Sequence, residues 1–192
     1  METLTRLNPL TRLDPALRWM VHLDLPKVMR IAMQRTGLRW DDDEFLTILQ
    51  SINTVGHVAE IGNDIVGFMI YRIHRDADAG DMNEFEICRG RFANLARTPP
   101  AGGLQIDLLN IAVAPELHQQ GIGRALLRRL EQKIEREGGC IHALVPETNL
   151  AMQLFLRAAG YRATGLLGGY HLDEDAYLME KWSGSRNNAA SI

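Results

Sequence analysis

The sequence has little cysteine, almost no net charge and no long apolar run. Only Cys88 and Cys140 are present, and no C-x-x-C pair exists. No disulfide framework can be read, so a reduced, cytoplasmic setting is expected. The six histidines are scattered, with no i, i+4 pair and no H-E-x-x-H, so no metal site is expected. No stretch approaches the ~18 apolar residues of a membrane span. The opening METLTRLNPLTRLDP is broken by Pro9 and Pro15 and does not read as a signal peptide. The net charge is -3, from 21 Lys plus Arg against 24 Asp plus Glu. That excludes the strongly basic class of general nucleic-acid binders.

The 192 residues are 46% hydrophobic and 23% charged, ordinary values for one globular domain. The sequence divides into an arm at 1–16, a single domain at 17–182 and a small, polar, flexible tail at 183–192. Strands are expected at 17–22, 54–60, 65–73, 104–113, 140–145, 161–166 and 176–182. Helices are expected after Asp24 with a stop at Gly37, from Asp41–Asp43, over 121–138 and over 149–159. Gly62-Asn63-Asp64 marks a hairpin. Residues 75–103 are irregular, with Phe85, Cys88, Phe92 and Leu95 at helical spacing; this segment reads as an insertion or a lid. The fold class is α/β (α+β), a mixed, mostly antiparallel sheet of about six to seven strands with about four helices.

The stretch Leu109–Leu127, LNIAVAPELHQQGIGRALL, carries the chemistry. A strand runs to Val113, Ala114-Pro115 breaks it, and a loop leads into a helix whose start contains Gly121 and Gly123. Small residues let a ligand approach the backbone. Unpaired amides at a helix start form an anion site, for which a pyrophosphate is a natural occupant. Arg124 adds a cation. The pattern is neither a Walker loop nor G-x-G-x-x-G.

This stretch resembles the acetyl-CoA signature of the GCN5-related N-acetyltransferases (GNAT superfamily), Gln/Arg-x-x-Gly-x-Gly/Ala. Here it reads His118-Gln119-Gln120-Gly121-Ile122-Gly123. Asn149 with Gly160-Tyr161 is similar to the family's Asn…Gly-Phe helix. Trp40-Asp-Asp-Asp-Glu-Phe45, Asn110-Ile111-Ala112-Val113 and Glu174-Asp175-Ala176-Tyr177-Leu178-Met179 resemble segments of the RimI-type alanine N-acetyltransferases. The resemblance covers about residues 17–182. It implies acetyl-CoA as cosubstrate, held by Ile111, Ala112, Val113, Gln119, Gln120, Gly121, Ile122, Gly123, Arg124 and Asn149. The backbone of Ile111 and Val113 would pair with the pantetheine arm.

The resemblance fails at two positions. RimI-type enzymes carry a glutamate base five residues before the Asn, where this sequence has Leu144. Their tyrosine acid lies seven residues after it, where this sequence has Leu156, beside Phe155. Substitutes are His142, which shares a strand face with Leu144, Glu147 in the following loop, and Tyr170, with His171 beside it. Asp107 is a weaker candidate, and Cys140 reads as a buried small residue. The expected activity is acetyl transfer to a primary amine, a protein or peptide N-terminal α-amine first. The alternatives are a small-molecule amine, or a non-catalytic acyl-CoA-binding module. No metal, nucleic-acid or membrane partner is expected, and the chain would be a monomer or homodimer. The acids Asp76, Asp78, Asp81, Glu84, Glu86, Asp173, Glu174 and Asp175 would border the amine groove.

Overall fold

A computed structural model describes residues 14–34, 42–74, 103–171 and 174–184. The arm up to residue 13, the stop at Gly37, Trp40, most of the 75–103 segment with its acids, Asp173, and the tail from 185 lie outside the described residues. So does the side chain of His171.

The elements run β1 (Ala16–Trp19), α1 (Leu25–Met33), α2 (Asp42–Gln50), β2 (Thr54–Ile61), β3 (Asp64–His74), β4 (Leu104–Val113), α3 (Ile122–Glu137), β5 (Gly139–Pro146), α4 (Leu150–Ala158), β6 (Arg162–His171) and β7 (Glu174–Trp182). The described strands form one sheet in the order β1-β2-β3-β4-β5-β7-β6. Every neighbouring pair is antiparallel except β4 and β5. A parallel pair needs a crossover, and α3 supplies it. The described residues form the expected mixed sheet with four α-helices.

Each face of the sheet has its own core. On one, Ile122, Leu126, Leu130 and Ile134 of α3 and Leu156 of α4 pack on Ile106, Leu108, Ile111, Ile141 and Ala143. On the other, Leu25, Val28 and Ile31 of α1 and Phe45 of α2 pack on Val58, Phe68, Ile70 and Ala112. Residues on β3 and β4 alternate between the two cores, because successive side chains of a strand point to opposite faces.

The chain differs from its expected outline at both ends. β1 stops at Trp19, because His22–Asp24 form a 3-10 turn instead of continuing the strand. Asp24 precedes α1 but does not bond into it. Its carboxylate accepts from both terminal nitrogens of Arg18, at 2.6 and 2.9 Å, and from the Val21 amide. β6 runs past Gly168-Gly169 to His171, although glycine pairs read as breakers. It survives through two register irregularities against β7, with Gly169 at φ 62°.

Candidate active site

The site begins where the parallel pair ends. β4 and β5 pair from Leu104↔Gly139 to Asp107↔His142 and no further. β5 continues to Pro146 against β7, while β4 continues to Val113 against β3. The two strands therefore fork after Asp107 and His142. Leu109 sits at the fork as an extra residue, since Tyr71 pairs with Leu108 and Ile70 with Asn110. Such a bulge bends and twists the strand that carries it.

Beyond the fork, one edge of β4 has no neighbouring strand among the described residues. The Ala114 amide donates to Val66 O at 2.8 Å, so Ala114 faces β3. By the antiparallel alternation, Ala112 and Asn110 also face β3, while Val113 and Ile111 turn their N–H and C=O to the open edge. Two of the three expected backbone contacts thus point to the edge that no described strand covers, although Val113 O is bonded by His118. The Ala112 backbone does not point there.

The open edge leads into the loop. Gln119 and Gly121 both have left-handed backbones, φ 63° and 88°. Alternating left-handed residues gather successive amides into a concave anion-binding nest. The first intrahelical bond is Ala125 N–H to Gly121 O, so the earlier amides of α3 have no partner within the helix. Gly123 has no positive φ. A Cβ there would make only ordinary contacts, 3.5 Å to Phe155 and 3.6 Å to Val113. The protein's own packing therefore does not require glycine at 123, whereas a ligand lying on the backbone would. These features fit a pyrophosphate.

Two side chains of the loop are engaged elsewhere. His118 donates through Nε2 to Val113 O at 2.9 Å, which ties the loop to the end of β4. Val113 O is an acceptor, so the ring nitrogen there carries the proton. Arg124 turns away from the loop and donates to Glu131 Oε1 at 2.9 Å. Glu131 is buried and also takes the Lys181 ammonium at 2.9 Å. Asn149 caps α4, its Oδ1 accepting the Met152 amide at 3.1 Å.

The sequence candidates for proton transfer do not converge. His142 is 1% exposed, in a row that crosses the sheet at the last paired rung. His74 Nε2 lies 2.6 Å from Asp107 Oδ2. Asp107 Oδ1 is 3.6 Å from His142 Nδ1, and His142 Nε2 is 3.3 Å from Glu180 Oε1 and 3.4 Å from Cys140 Sγ. Burial works to depress the His142 pKa, but the contacts with Asp107, Cys140 and Glu180 prevail and raise it well above the ordinary value. Burial likewise works to raise Asp107 and Glu180. For Asp107 the contacts with His142 and His74 win, for Glu180 chiefly those with His142, and both end lowered. All three shifts favour the charged forms. Leu144 and Tyr170 lie two residues past the fork and on β6, both packed against Leu167 and Leu178. Glu147 is exposed in the loop before α4, where its amide donates to Asp175 O. The acids expected at the amine groove include two with local partners: Glu174 bonds to Thr148, and Asp175 accepts the Gly169 amide.

The acetyltransferase (GNAT) family profile matches residues 25–161, well over half the chain. The chain belongs to the GNAT family. It is 34% identical over 95 residues to the N-alpha-acetyltransferase RimI of Mycobacterium tuberculosis, a match covering 48% of this chain and 57% of that relative's length. The fold is that of the ribosomal-protein-S18-alanine N-acetyltransferase of Escherichia coli, with a TM-score of 0.67 at 19% identity over 93% of this chain and 100% of that one. It is also that of Arabidopsis thaliana NAA60 in complex with a bisubstrate analogue, with a TM-score of 0.69 at 16% identity over 90% of this chain and 100% of that one.

The two positions where the resemblance to RimI-type enzymes fails, Leu144 and Leu156, both lie in apolar surroundings. Leu156 is fully buried in the core beneath α4, and Phe155 is the neighbour that faces Gly123. Leu144 is half-buried among apolar side chains. Sequence reading missed His74 and Glu180 as members of the buried row. Nothing in one sequence pairs β5 with β7, so no signal there joins His142 to Glu180. Among the described residues no group of His, Cys, Asp and Glu could hold a metal ion, and no helix is long and apolar enough to cross a membrane.

Proposed function

We propose that this chain transfers an acetyl group from acetyl-CoA to a primary amine, a protein or peptide N-terminal α-amine first. The observation that carries the reading is the open edge of β4, which runs from the fork into a loop of left-handed residues at the start of a long helix. The NAA60 structures, one with acetyl-CoA and one with a bisubstrate analogue, support the same reading.

Acetyl-CoA supplies the reactive thioester. The chain supplies positions. The backbone of Ile111 and Val113 offers peptide-like pairing to an extended arm with amides of its own. The amides from Gln119 to Arg124 hold the pyrophosphate, with Ala112 in support only through the strand it continues. Asn149 keeps α4 in place beside that arm. An arm that starts at the loop and follows β4 backwards arrives at the fork.

The remaining task is to take a proton from the incoming amine, since an ammonium has no lone pair to attack with. His142 sits between two carboxylates with its pKa raised, and an imidazolium cannot accept a proton. Glu147, which reaches solvent, and Tyr170, beside Leu144, stand as the base and acid of this reading. The apolar lining at Leu144 favours a neutral amine. The same reading has the enzyme act in the cytoplasm as a monomer or homodimer.

The test is turnover with acetyl-CoA and a panel of peptides and small amines. Acetylation of peptide N-termini with kcat/KM about tenfold or more above any small amine is the expected result. Preference for a small amine would move the substrate class. CoA binding without transfer to any amine would leave a non-catalytic acyl-CoA-binding module.

A further inference from the structure

A second concave feature lies on the outer flank of the sheet. Trp19 closes the edge strand β1 and is 58% exposed, unusual for the largest apolar side chain. It pairs with His57 across β1 and β2. Tyr71 stands one diagonal step further, on β3. The rings form a staircase: Trp19 and His57 have centroids 4.6 Å apart, and His57 and Tyr71 are stacked at 5.7 Å. His57 and Tyr71 are buried and fixed, while Trp19 keeps a face open.

Opposite the rings runs one stripe of α3. Arg129, Lys133 and Arg136 follow at spacings of four and three residues, which places them on the same side of the helix. Rings and cations, with Gln132 and the carboxylate Glu135 beside them, line a cleft of about 300 Å³. That is the lower end of the range for small-molecule sites. Neither Arg129 nor Lys133 pairs with a carboxylate among the described residues. Burial, with the charges of Arg129 and Lys133, holds the His57 pKa down to about 4. Those two charges are therefore felt at the ring stack, and His57 stays neutral at pH 7. An exposed aromatic face thus looks onto three cations against one carboxylate, Glu135, across a space the size of one small ligand.

We propose that this cleft binds a small planar aromatic anion, its ring against Trp19 and its acidic group among Arg129, Lys133 and Arg136. Stacking on an indole and charge-assisted bonds to a guanidinium are both strong, and neither alone would explain the pairing of the two features. The cations are confined to two turns of one helix in a chain of net charge -3, so a single small ligand fits better than a nucleic-acid strand. The cleft is remote from the phosphate loop. Arg129 lies seven residues beyond the start of α3 and Arg136 fourteen, roughly 10 and 21 Å along the axis. This inference goes beyond acetyl transfer and does not depend on it.

The experiment is calorimetric titration of the full chain in saturating CoA, which fills any nucleotide-binding capacity of the loop. The probes are adenosine 5′-monophosphate and indole-3-acetate, with adenosine and ribose 5-phosphate as controls lacking charge or ring. Saturable binding of either probe is expected, about tenfold tighter than its control. Binding of the nucleotide alone or of the carboxylate alone would tell which source of aromatic anion the cleft accepts. Trp19→Ala, at the surface, and Lys133→Glu, half-buried, should each weaken it about tenfold without changing CoA affinity. Equal affinity for the controls, wild-type affinity in both variants, or no binding at millimolar probe would overturn the proposal. So would binding of a single-stranded RNA oligomer without either probe. If CoA itself fails to bind, the acetyl-transfer reading falls while this titration still reports on the cleft.

Discussion

The two ends of β4 are built from different materials. At its C-terminal end the useful groups are amides: the open edge of Ile111 and Val113, then the left-handed turns at Gln119 and Gly121. At its N-terminal end they are side chains: His74, Asp107, His142 and Glu180, drawn from four strands into one buried row. A site made of backbone tolerates changes of side chain. His118 stands where the family has Gln or Arg, and it still anchors the loop through Val113 O. A site made of side chains tolerates little, because each charge in the interior depends on its neighbours.

The largest expected effect falls on the side-chain end. Asp107→Ala leaves His74 and His142 facing an empty position inside the sheet. We expect a loss of about 3–5 kcal/mol of stability in denaturant titration, the usual consequence of breaking a buried pair from one side. A loss under about 1 kcal/mol, as for surface pairs, would show that the row is not a buried charge network. The row also sets a pH window. Asp107 and Glu180 have lowered folded pKa values, so their stabilisation is complete above the unfolded carboxylate pKa of about 4 and is lost as pH falls through the folded values. His142 is raised, so its stabilisation is complete below about 6.5 and is lost as pH rises through its folded value. Stability should therefore plateau between these limits and decline on both sides. His142→Gln should abolish the alkaline decline.

The next effect falls on the backbone end. Gly123→Asp adds a negative charge beside the amides without backbone strain, and CoA affinity should fall about a hundredfold or more, ~2.7 kcal/mol. Gly121→Asp should do the same, with ~1–2 kcal/mol of added strain from its left-handed φ. Calorimetry showing unchanged affinity in both would remove the phosphate-cradle assignment. Gly123→Ala sharpens the point. Its Cβ has room within the protein, so the fold should keep its stability while CoA binding weakens.

The same contrast explains what could be read in advance. The loop was legible because it is local: two glycines, a strand ahead and a periodic helix behind lie within one stretch of sequence. β4 and α3 were legible for the same reason, with apolar periods of two and 3.6. The buried row was not, since Asp107 and Glu180 become partners of one residue only when β5 takes β4 on one side and β7 on the other. The short 3-10 turn at His22–Asp24 was hidden by an Arg18–Asp24 pair that competes with helix capping. A smaller prediction follows from the loop's side-chain bond at His118. His118→Ala removes the bond to Val113 O, and stability should fall by about 0.5–1.5 kcal/mol with CoA affinity within about tenfold of wild type. A larger loss of affinity would mean that the side chain, not the backbone, holds the ligand.

The smallest expected effect is kinetic and concerns the residue the sequence made most tempting. His142 shares a strand face with Leu144 and lies at the fork, so it reads as a substitute base. The structure surrounds it with Asp107, Glu180 and Cys140, and those contacts hold its proton. A base must lose a proton before it can take one. With its pKa raised, His142 holds its proton more tightly than a free imidazole does, and the ring is buried. His142→Gln, assayed where the variant is fully folded, should therefore change kcat by about tenfold or less, with an unshifted pH profile rising toward the pKa of the amine. A much larger loss, together with the disappearance of an ionisation limb in the wild-type profile, would make His142 the base. That outcome would also erase the contrast between the two ends of β4, because the buried row would then take part in the chemistry as well as the fold. Glu147→Gln measured beside it distinguishes the cases. Loss of rate at Glu147 with retention at His142 places the proton's route at the exposed mouth of the site, not in the interior of the sheet.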